Sequence, residues 1–489
     1  MRTRGLIGDL LSLSKGSLVD MATDKAVVLP NADGSRATLY DPDRMSFATL
    51  PPHLVERARR FAAASHGAGD LTADERREWD ELTRIISAPS FPVPADNNST
   101  TINQLVIGNT YHCNMGCTYC YNELETKEKK GSEVPQGMAW ETARSSIQQV
   151  LDQADPSKPV RIFFIGGEPL LEREILERSV EYAEAYAAPL GVKVRFNVYT
   201  NGTLLTAKVL DWCEAHKISL IISLDGPPAL NSERVLLSGR PTSRVVLRNI
   251  RRIMDSQTSP MRRVRAVGRP GTPLVALHKY LVALGFNEVH VQPMYNNEGI
   301  TATNESEMIE LLDWWTGNLE NGVILDIMPF GSFFQKILHQ GRAVSSWYPC
   351  QAARNAVTVG PDGRVYSCHH AIEEPAFELG HITKGLPIVE IRSRHFKRVD
   401  EREPCRNCWA KHICGGECYH RSLSAGAGEF GTLPAACQER KALIGFALDA
   451  FARIARTNPQ ALRRLALGDL SRPEPQESAY EAADLRDFV

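Results

Sequence analysis

The 489-residue chain lacks a long apolar run, an excess of charge of either sign and an internal repeat beyond a strand–helix alternation. No stretch approaches the roughly 18 consecutive apolar residues of a membrane span, so no membrane role is expected. Lys and Arg number 56 against 58 Asp and Glu, a net charge of −2. That balance offers nothing to a nucleic acid held by phosphate neutralisation. Arg2 and Arg4 open the chain, but Asp9 and Lys15 interrupt the apolar residues that follow. This is not the pattern of a signal peptide, and a cytoplasmic location is the expectation. Hydrophobic residues make up 43%, too many for a largely disordered chain. The length suits roughly two to four domains.

Cysteine is also scarce, 11 in all, but its placement is uneven. Cys113, Cys117 and Cys120 fall close together, Cys213 stands alone, and Cys350, Cys368, Cys405, Cys408, Cys414, Cys418 and Cys437 follow. So few thiols make no disulfide scaffold. Clustered thiols in a reducing compartment point to metal.

Five segments are expected. Residues 1–88 read as a small α+β unit, with strands over 25–30 and 36–40 around a turn and helices over 54–64 and 73–86. A linker rich in Pro and Asn spans 89–100. Over 101–325, strand candidates at 104–107, 160–165, 194–199, 220–224, 264–267 and 289–292 alternate with helical patterns such as 140–154, 172–188, 207–215 and 274–284. The fold class is therefore α/β, a partial (β/α)6 barrel with chemistry at the carboxyl ends of its strands. Over 326–438 periodicity is lost and Cys, Gly and turns dominate, a Cys-rich segment that needs metal to hold it. Residues 439–489 read as a helix and a mobile Pro- and charge-rich tail.

The motifs fall at the strand ends. Cys113-x3-Cys117-x2-Cys120 follows the first strand. Three thiolates on one loop can hold three irons of a cubane and leave the fourth open. A zinc site, with His112 as a neighbouring ligand, is the competing reading. Gly166-Gly167-Glu168-Pro169 ends the second strand, where glycines let a ligand near the backbone and Glu168 offers a carboxylate to an ammonium. Thr200-Asn201-Gly202 ends the third. Ser223-Leu224-Asp225-Gly226-Pro227 ends the fourth and offers groups for ribose hydroxyls. Each of these is also an ordinary turn. Cys213 and His216, within a helical pattern, read as structural.

Taken together and in this order, these motifs resemble the radical S-adenosylmethionine enzymes. The resemblance implies a 4Fe–4S cluster on Cys113, Cys117 and Cys120 that binds S-adenosylmethionine and releases a 5′-deoxyadenosyl radical. It implies that Gly166, Gly167 and Glu168 hold the methionyl amino group and that Ser223, Asp225 and Arg234 hold the rest of the cofactor. It also implies a one-electron donor such as flavodoxin or ferredoxin.

The later cysteines resemble the SPASM extension of such enzymes, which carries two auxiliary Fe–S clusters, expected to be 4Fe–4S. By that resemblance Cys405, Cys408, Cys414 and Cys437 hold the outer cluster, and Cys350, Cys368 and Cys418 the inner one. The inner cluster then has a non-Cys fourth ligand or an open iron.

Proteins of this kind mostly modify peptides or proteins. The resemblance points to a maturase of ribosomally made precursor peptides, with residues 1–88 binding a leader as an added strand. Anaerobic sulfatase maturases are the alternative, but they typically place Asp after the second SPASM cysteine. Here His369 and His370 follow Cys368, so His369 is the candidate base, a cluster ligand or structural. A non-catalytic Fe–S or zinc scaffold is the reading from another class.

Overall fold

The computed structural model describes residues 27–30, 37–42, 45–50, 72–73, 77, 102–120, 136–255, 262–296, 299–300, 305–339, 344–352, 354–372, 374–386 and 397–482. The linker at 89–100 and both helices expected before it lie outside these residues, apart from Ala73 and Arg77, which are helical. The chain divides into two compact units, one of 96–302, 351–396 and 472–489 and one of 1–95, 303–350 and 397–471.

The first unit is α/β. Strands β4 (Gln104–Thr110), β5 (Val160–Gly166), β6 (Val194–Thr200), β7 (Ser219–Ser223), β8 (Arg263–Gly268) and β9 (Glu288–Pro293) pair in parallel in chain order. Helices α1 (Trp140–Leu151), α2 (Arg173–Ala187), α3 (Ala207–Ala215), α4 (Ser243–Asp255) and α5 (Leu274–Ala283) connect them. The sheet is open, the arrangement of a partial barrel. On the far side of β4, β10 (Ala356–Val359) adds in parallel, and β11 (Arg364–Tyr366) and β12 (Glu378–His381) follow antiparallel.

Local pattern explains these elements. β4 has neighbours on both sides, and Leu105, Val106 and Ile107 are all buried, the continuous apolar run of a covered parallel strand. β5 alternates, with Ile162 and Phe164 fully buried and Arg161 and Phe163 on the opposite face. α2 buries Leu176, Val180, Ala183 and Ala187 along one stripe. The expected mobile tail is a correction. As far as Ala482 it is ordered, with α10 (Glu477–Glu481) burying Ala479 and the Tyr480 hydroxyl donating to the Leu284 carbonyl at 2.9 Å.

In the second unit, β1 (Val27–Pro30), β2 (Ala37–Asp41) and β3 (Ser46–Leu50) form an antiparallel sheet, one strand more than the sequence suggested. Helices α6 (Glu305–Glu320), α7 (Phe330–Leu338), α8 (Pro434–Thr457) and α9 (Pro459–Leu467) complete it. A run of rings ties them together: Trp315 to Phe334 at 4.8 Å, Phe334 to Phe451 at 5.0 Å, and Phe451 to Phe47 on β3 at 5.4 Å. Such edge and tilted pairs each add about 0.5–1.5 kcal/mol beyond burial. α7 corrects the expectation that periodicity is absent from 326–438: Phe330, Phe333, Phe334 and Ile337 form its buried stripe.

Candidate active site

β4 ends at Thr110, and Cys113, Cys117 and Cys120 lie on the loop that leaves it. The loop is pinned from below by the end of β5. Gly167 N–H donates to the Thr110 carbonyl at 2.9 Å and Glu168 N–H to the His112 carbonyl at 2.8 Å. A Cβ at Gly166, whose φ is +147°, would stand 2.1 Å from the Thr110 oxygen, and one at Gly167 would stand 2.2 Å from the His112 oxygen. The glycines therefore admit the backbone of the cysteine loop itself.

The three thiols share one electrostatic neighbourhood. Burial raises Cys113, with Glu168 and Cys120 adding to the rise. Cys117 is pushed up to about 11, chiefly by burial, with the Arg234 charge opposing. Thiols held protonated by burial release their protons when a soft cation arrives. Met115 N–H donates to Cys113 Sγ at 3.4 Å, and Asn201 Nδ2 lies 3.9 Å from the same sulfur.

Glu168 is fully buried. Its carboxylate accepts from the Thr200 hydroxyl at 2.9 Å, Asn201 N–H at 2.7 Å and Leu170 N–H at 3.1 Å. Burial nevertheless pushes its carboxyl up to about 7. Asn201 reaches on to the cysteine loop, its Nδ2 donating to Asn114 Oδ1 at 2.9 Å. The Thr-Asn-Gly motif thus links Glu168 to the cysteines, a role that its reading as a turn did not assign.

Asp225 and Arg234 are also buried, at 1% and 8% exposure. Val267 N–H donates to Asp225 Oδ1 at 3.0 Å, and Arg234 Nη1 lies 3.8 Å from the same oxygen. Tyr119, the residue before Cys120, completes the group. Its hydroxyl donates to Asp225 and accepts from Arg234 at 2.9 Å. Ser223 ends β7, half-buried. Sequence reasoning missed Tyr119 as a partner of Asp225 and Arg234; the one available signal was an aromatic beside a cysteine.

In the second unit Cys405, Cys408, Cys414 and Cys437 come together. Cys405 is pushed up to about 11 by burial first and then by Cys414, Cys437 and Cys408, with Arg402 opposing. Arg440 Nη1 donates to Cys414 Sγ at 3.6 Å, and the buried Lys336 donates to the Cys414 carbonyl at 3.0 Å. Cys350 is exposed and Cys418 caps the helix Tyr419–Ser424; both lie in this unit. Cys368 follows β11 in the other unit and is followed by His369 and His370, whose rings lie 4.2 Å apart. Cys213 is a buried helical thiol raised to about 12 by desolvation. His216 Nδ1 hydrogen-bonds Glu184 at 2.9 Å.

The donor sets fit iron–sulfur clusters and S-adenosylmethionine. Cys113, Cys117 and Cys120 share one electrostatic neighbourhood and Cys405, Cys408, Cys414 and Cys437 another, with Cys117 and Cys405 the buried member of each, and thiolates are the soft donors that iron–sulfur clusters take. Around the first stand carboxylates (Glu168, Asp225) and a guanidinium (Arg234), complementary to an ammonium, hydroxyls and a carboxylate.

Residues 110–278 match the radical SAM superfamily, and residues 350–409 match SPASM, an iron–sulfur cluster-binding domain. The serine-type anaerobic sulfatase-maturating enzyme of Klebsiella aerogenes is 26% identical over 334 residues, 64% of this chain and 78% of that protein. The solved structure of native anSMEcpe with bound AdoMet and Cp18Cys peptide has a TM-score of 0.57 at 21% identity, covering 72% of this chain and 98% of that one. Streptococcus suis SuiB bound to precursor peptide SuiA has a TM-score of 0.50 at 14% identity, covering 86% and 100%. At these identities the two structures show a shared fold.

Proposed function

Because this chain is a radical S-adenosylmethionine enzyme with a SPASM domain, we propose that it modifies a ribosomally made precursor peptide in the cytoplasm. Its cofactors are S-adenosylmethionine, a 4Fe–4S cluster and auxiliary iron–sulfur clusters. When bound, the first two supply a 5′-deoxyadenosyl radical that takes hydrogen from a peptide carbon. The single observation that carries the site assignment is the gathering of Cys113, Cys117 and Cys120 with Glu168, Asp225 and Arg234.

In this reading Cys113, Cys117 and Cys120 hold the 4Fe–4S cluster. Gly166 and Gly167 set the loop height, and Glu168 faces the cofactor's ammonium. Ser223, Asp225 and Arg234 face its ribose and carboxylate. Cys405, Cys408, Cys414 and Cys437 hold one auxiliary cluster. His369 accepts the proton lost by the substrate. Residues 101–325 carry the radical chemistry and 326–438 the auxiliary clusters. Residues 1–88 recognise the leader; what supports a peptide substrate is the fold shared with SuiB, which was solved with a precursor peptide.

A second reading, sulfatase maturation, draws support from the 26% identity to the Klebsiella aerogenes enzyme. The test is anaerobic reconstitution, followed by detection of 5′-deoxyadenosine and mass spectrometry of candidate peptides. Cofactor cleavage with a modified precursor peptide is the expected result. Modification of only a sulfatase-derived Ser or Cys peptide would favour the second reading. No 5′-deoxyadenosine in an iron-replete enzyme would sink both.

A further inference from the structure

Strands β5 to β9 carry four arginines and a single carboxylate: Arg161, Arg195, Arg263, Arg265 and Glu288. The pairing register puts all five on one face. Arg161 stands directly opposite Arg195, and Arg263 opposite Glu288. Arg263 Nη1 donates across β7 to Ser219 Oγ at 3.5 Å and to Asn197 Oδ1 on β6 at 2.9 Å, which brings the two groups to the same side. The other face is apolar. Ile162, Val198, Ile222, Val264 and Val289 are all buried there.

Two of these arginines have their counter-charge within the sheet. Glu288 takes Arg263 at 2.7 Å and Arg265 at 2.9 Å. Arg161 and Arg195 do not. Both are exposed, and among the described residues neither has an ion pair or a side-chain hydrogen bond. Like charges directly opposite on neighbouring strands repel and destabilise a sheet. Burial, Arg195 and Arg263 all pull the Arg161 guanidinium below the usual arginine value. The chain as a whole is at −2, so this local excess of positive charge is not a reflection of composition. An arginine pair so placed costs stability, and the group that offsets its charge is an anion from outside the sheet.

Arg161 is the second residue of β5 and Gly166 the last. At about 3.3 Å per residue the arginines lie about 16 Å along the strand from the glycines that carry the cysteine loop. An anion held there is too far away to belong to a cofactor at the cysteines. Phe163 and Tyr199 stand in between on the same face, half-buried, with ring centroids 6.5 Å apart. We propose that Arg161 and Arg195 form a subsite for an acidic side chain of the substrate peptide, about five residues along that peptide from the residue that reacts. This rests on the peptide reading above. A guanidinium donates two parallel N–H groups to a carboxylate, and the two rings give the intervening residues an apolar wall. The rings and the fixed span favour a peptide over a free anion, which would use the arginines alone.

The probes are two rhodamine-labelled decapeptides of Gly, Ser and Ala with one Phe, one carrying Asp and the other Asn five positions from a Cys. Anisotropy at low and high salt gives their affinity for the reconstituted full-length enzyme with S-adenosylmethionine, for Arg161→Gln/Arg195→Gln and for Arg161→Lys/Arg195→Lys. Wild type should bind the Asp peptide about tenfold more tightly than the Asn peptide at low salt, and the difference should shrink at high salt. The Gln pair should bind the two peptides alike, whereas the Lys pair should keep part of the preference. The Gln pair should also melt no lower than wild type, because a repulsion is gone. A fall in its melting temperature with both peptide affinities unchanged would make the arginines structural and overturn the proposal. So would equal affinity of wild type for the two peptides, or no binding of either. Inorganic phosphate binding that the Gln pair loses, with no discrimination between the peptides, would assign the arginines to a free anion and overturn it as well. Cofactor cleavage is scored separately. If iron-replete wild type makes no 5′-deoxyadenosine with dithionite, the functional reading fails while the peptide preference still judges the subsite.

Discussion

The two cysteine-bearing regions are held in place by different means. Around Cys113, Cys117 and Cys120 the backbone does the work. The loop rests on Gly166 and Gly167, and Glu168 braces it through Thr200 and Asn201. Around Cys405, Cys408 and Cys414 regular structure is reduced to helices of a turn or two, Cys437 lies in the first turn of α8, and buried charges fill the gaps. Arg402, 1% exposed, donates to the carbonyls of Glu417, Phe430 and Gly431 at 2.9, 3.3 and 3.0 Å. Glu417, also 1% exposed, takes Arg440 at 3.3 Å and Arg421 at 3.6 Å, yet among the described residues its Oε2 has no hydrogen-bond partner. Burial lowers Lys336 to about 8. Charges buried without a strong scaffold are weak evidence for stability. The first region is braced through its backbone, the second through buried arginine and glutamate side chains.

That contrast breaks most sharply under removal of the thiols. The triple change Cys113→Ala, Cys117→Ala, Cys120→Ala should abolish 5′-deoxyadenosine formation and remove about four irons of a total of about 12, with little change in melting temperature. Cys405→Ala with Cys408→Ala should remove another four or so and expose 397–438 to protease. Iron analysis, circular dichroism and limited proteolysis read the difference. Equal loss of fold in both variants would erase the distinction.

Gly167→Ala attacks the backbone side alone. Its Cβ would press on the His112 oxygen at 2.2 Å, a main-chain atom that cannot swing away. Deoxyadenosine formation should fall at least tenfold, with roughly 1–3 kcal/mol of strain and the auxiliary irons intact. Gly317→Ala in α6 is the control. Among the described residues nothing lies within 4 Å of its added methyl, and a helical site without clash gains about 0.4–1 kcal/mol.

Glu168 gives a pH-dependent version of the test. Its carboxyl sits at about 7 because burial disfavours the charge. The folded value lies above the unfolded one, so its contribution to stability is full below about 4.3 and is lost as pH rises through 7. Attraction for an ammonium runs the other way, because only the ionised form attracts. Affinity for S-adenosylmethionine should therefore rise severalfold from pH 6 to pH 8 in wild type and stay flat in Glu168→Gln. Over the same range the variant should gain in melting temperature relative to wild type. Glu168→Ala should weaken the cofactor by about 10- to 150-fold if the carboxylate meets the ammonium. A fall in melting temperature with unchanged affinity would leave only the bracing role.

The parallel strands were legible because each writes its burial into a short apolar run, and observed ends lie within a few residues of expectation, as at Val194–Thr200 and Ala207–Ala215. The stripe of α7 was legible in principle, but Gly331 and the nearby cysteines made the segment read as irregular. The ring contacts that join β3 to α8 could not be read, because Phe47 and Phe451 are some four hundred residues apart. For the same reason the sequence shows Glu168 and Asp225 as carboxylates at strand ends and hides their donors. Thr200 lies 32 residues from Glu168, and Tyr119 lies 106 from Asp225. Motif spacing reports which groups can meet a ligand; it does not report which internal groups they also serve.

Tyr119→Phe should have the smallest effect. The Tyr119 hydroxyl stands between Asp225 and Arg234, donating to one and accepting from the other. Burial and the Asp225 charge hold it protonated far above neutral pH, with Arg234 opposing. Its removal takes away one donor and one acceptor at once, but leaves Arg234 and Asp225 3.8 Å apart and free to pair directly. Asp225 also keeps Val267 N–H at 3.0 Å. No charge is orphaned, so the loss is that of a single hydrogen bond, about 1 kcal/mol. Cofactor affinity should weaken about fivefold while all iron is kept. Tyr119→Phe/Asp225→Asn should then show strong non-additivity, because both changes act on one group. Additive losses would mean that Tyr119 serves the cysteine loop through its ring, and that the hydroxyl bridge between the loop and β7 carries no weight.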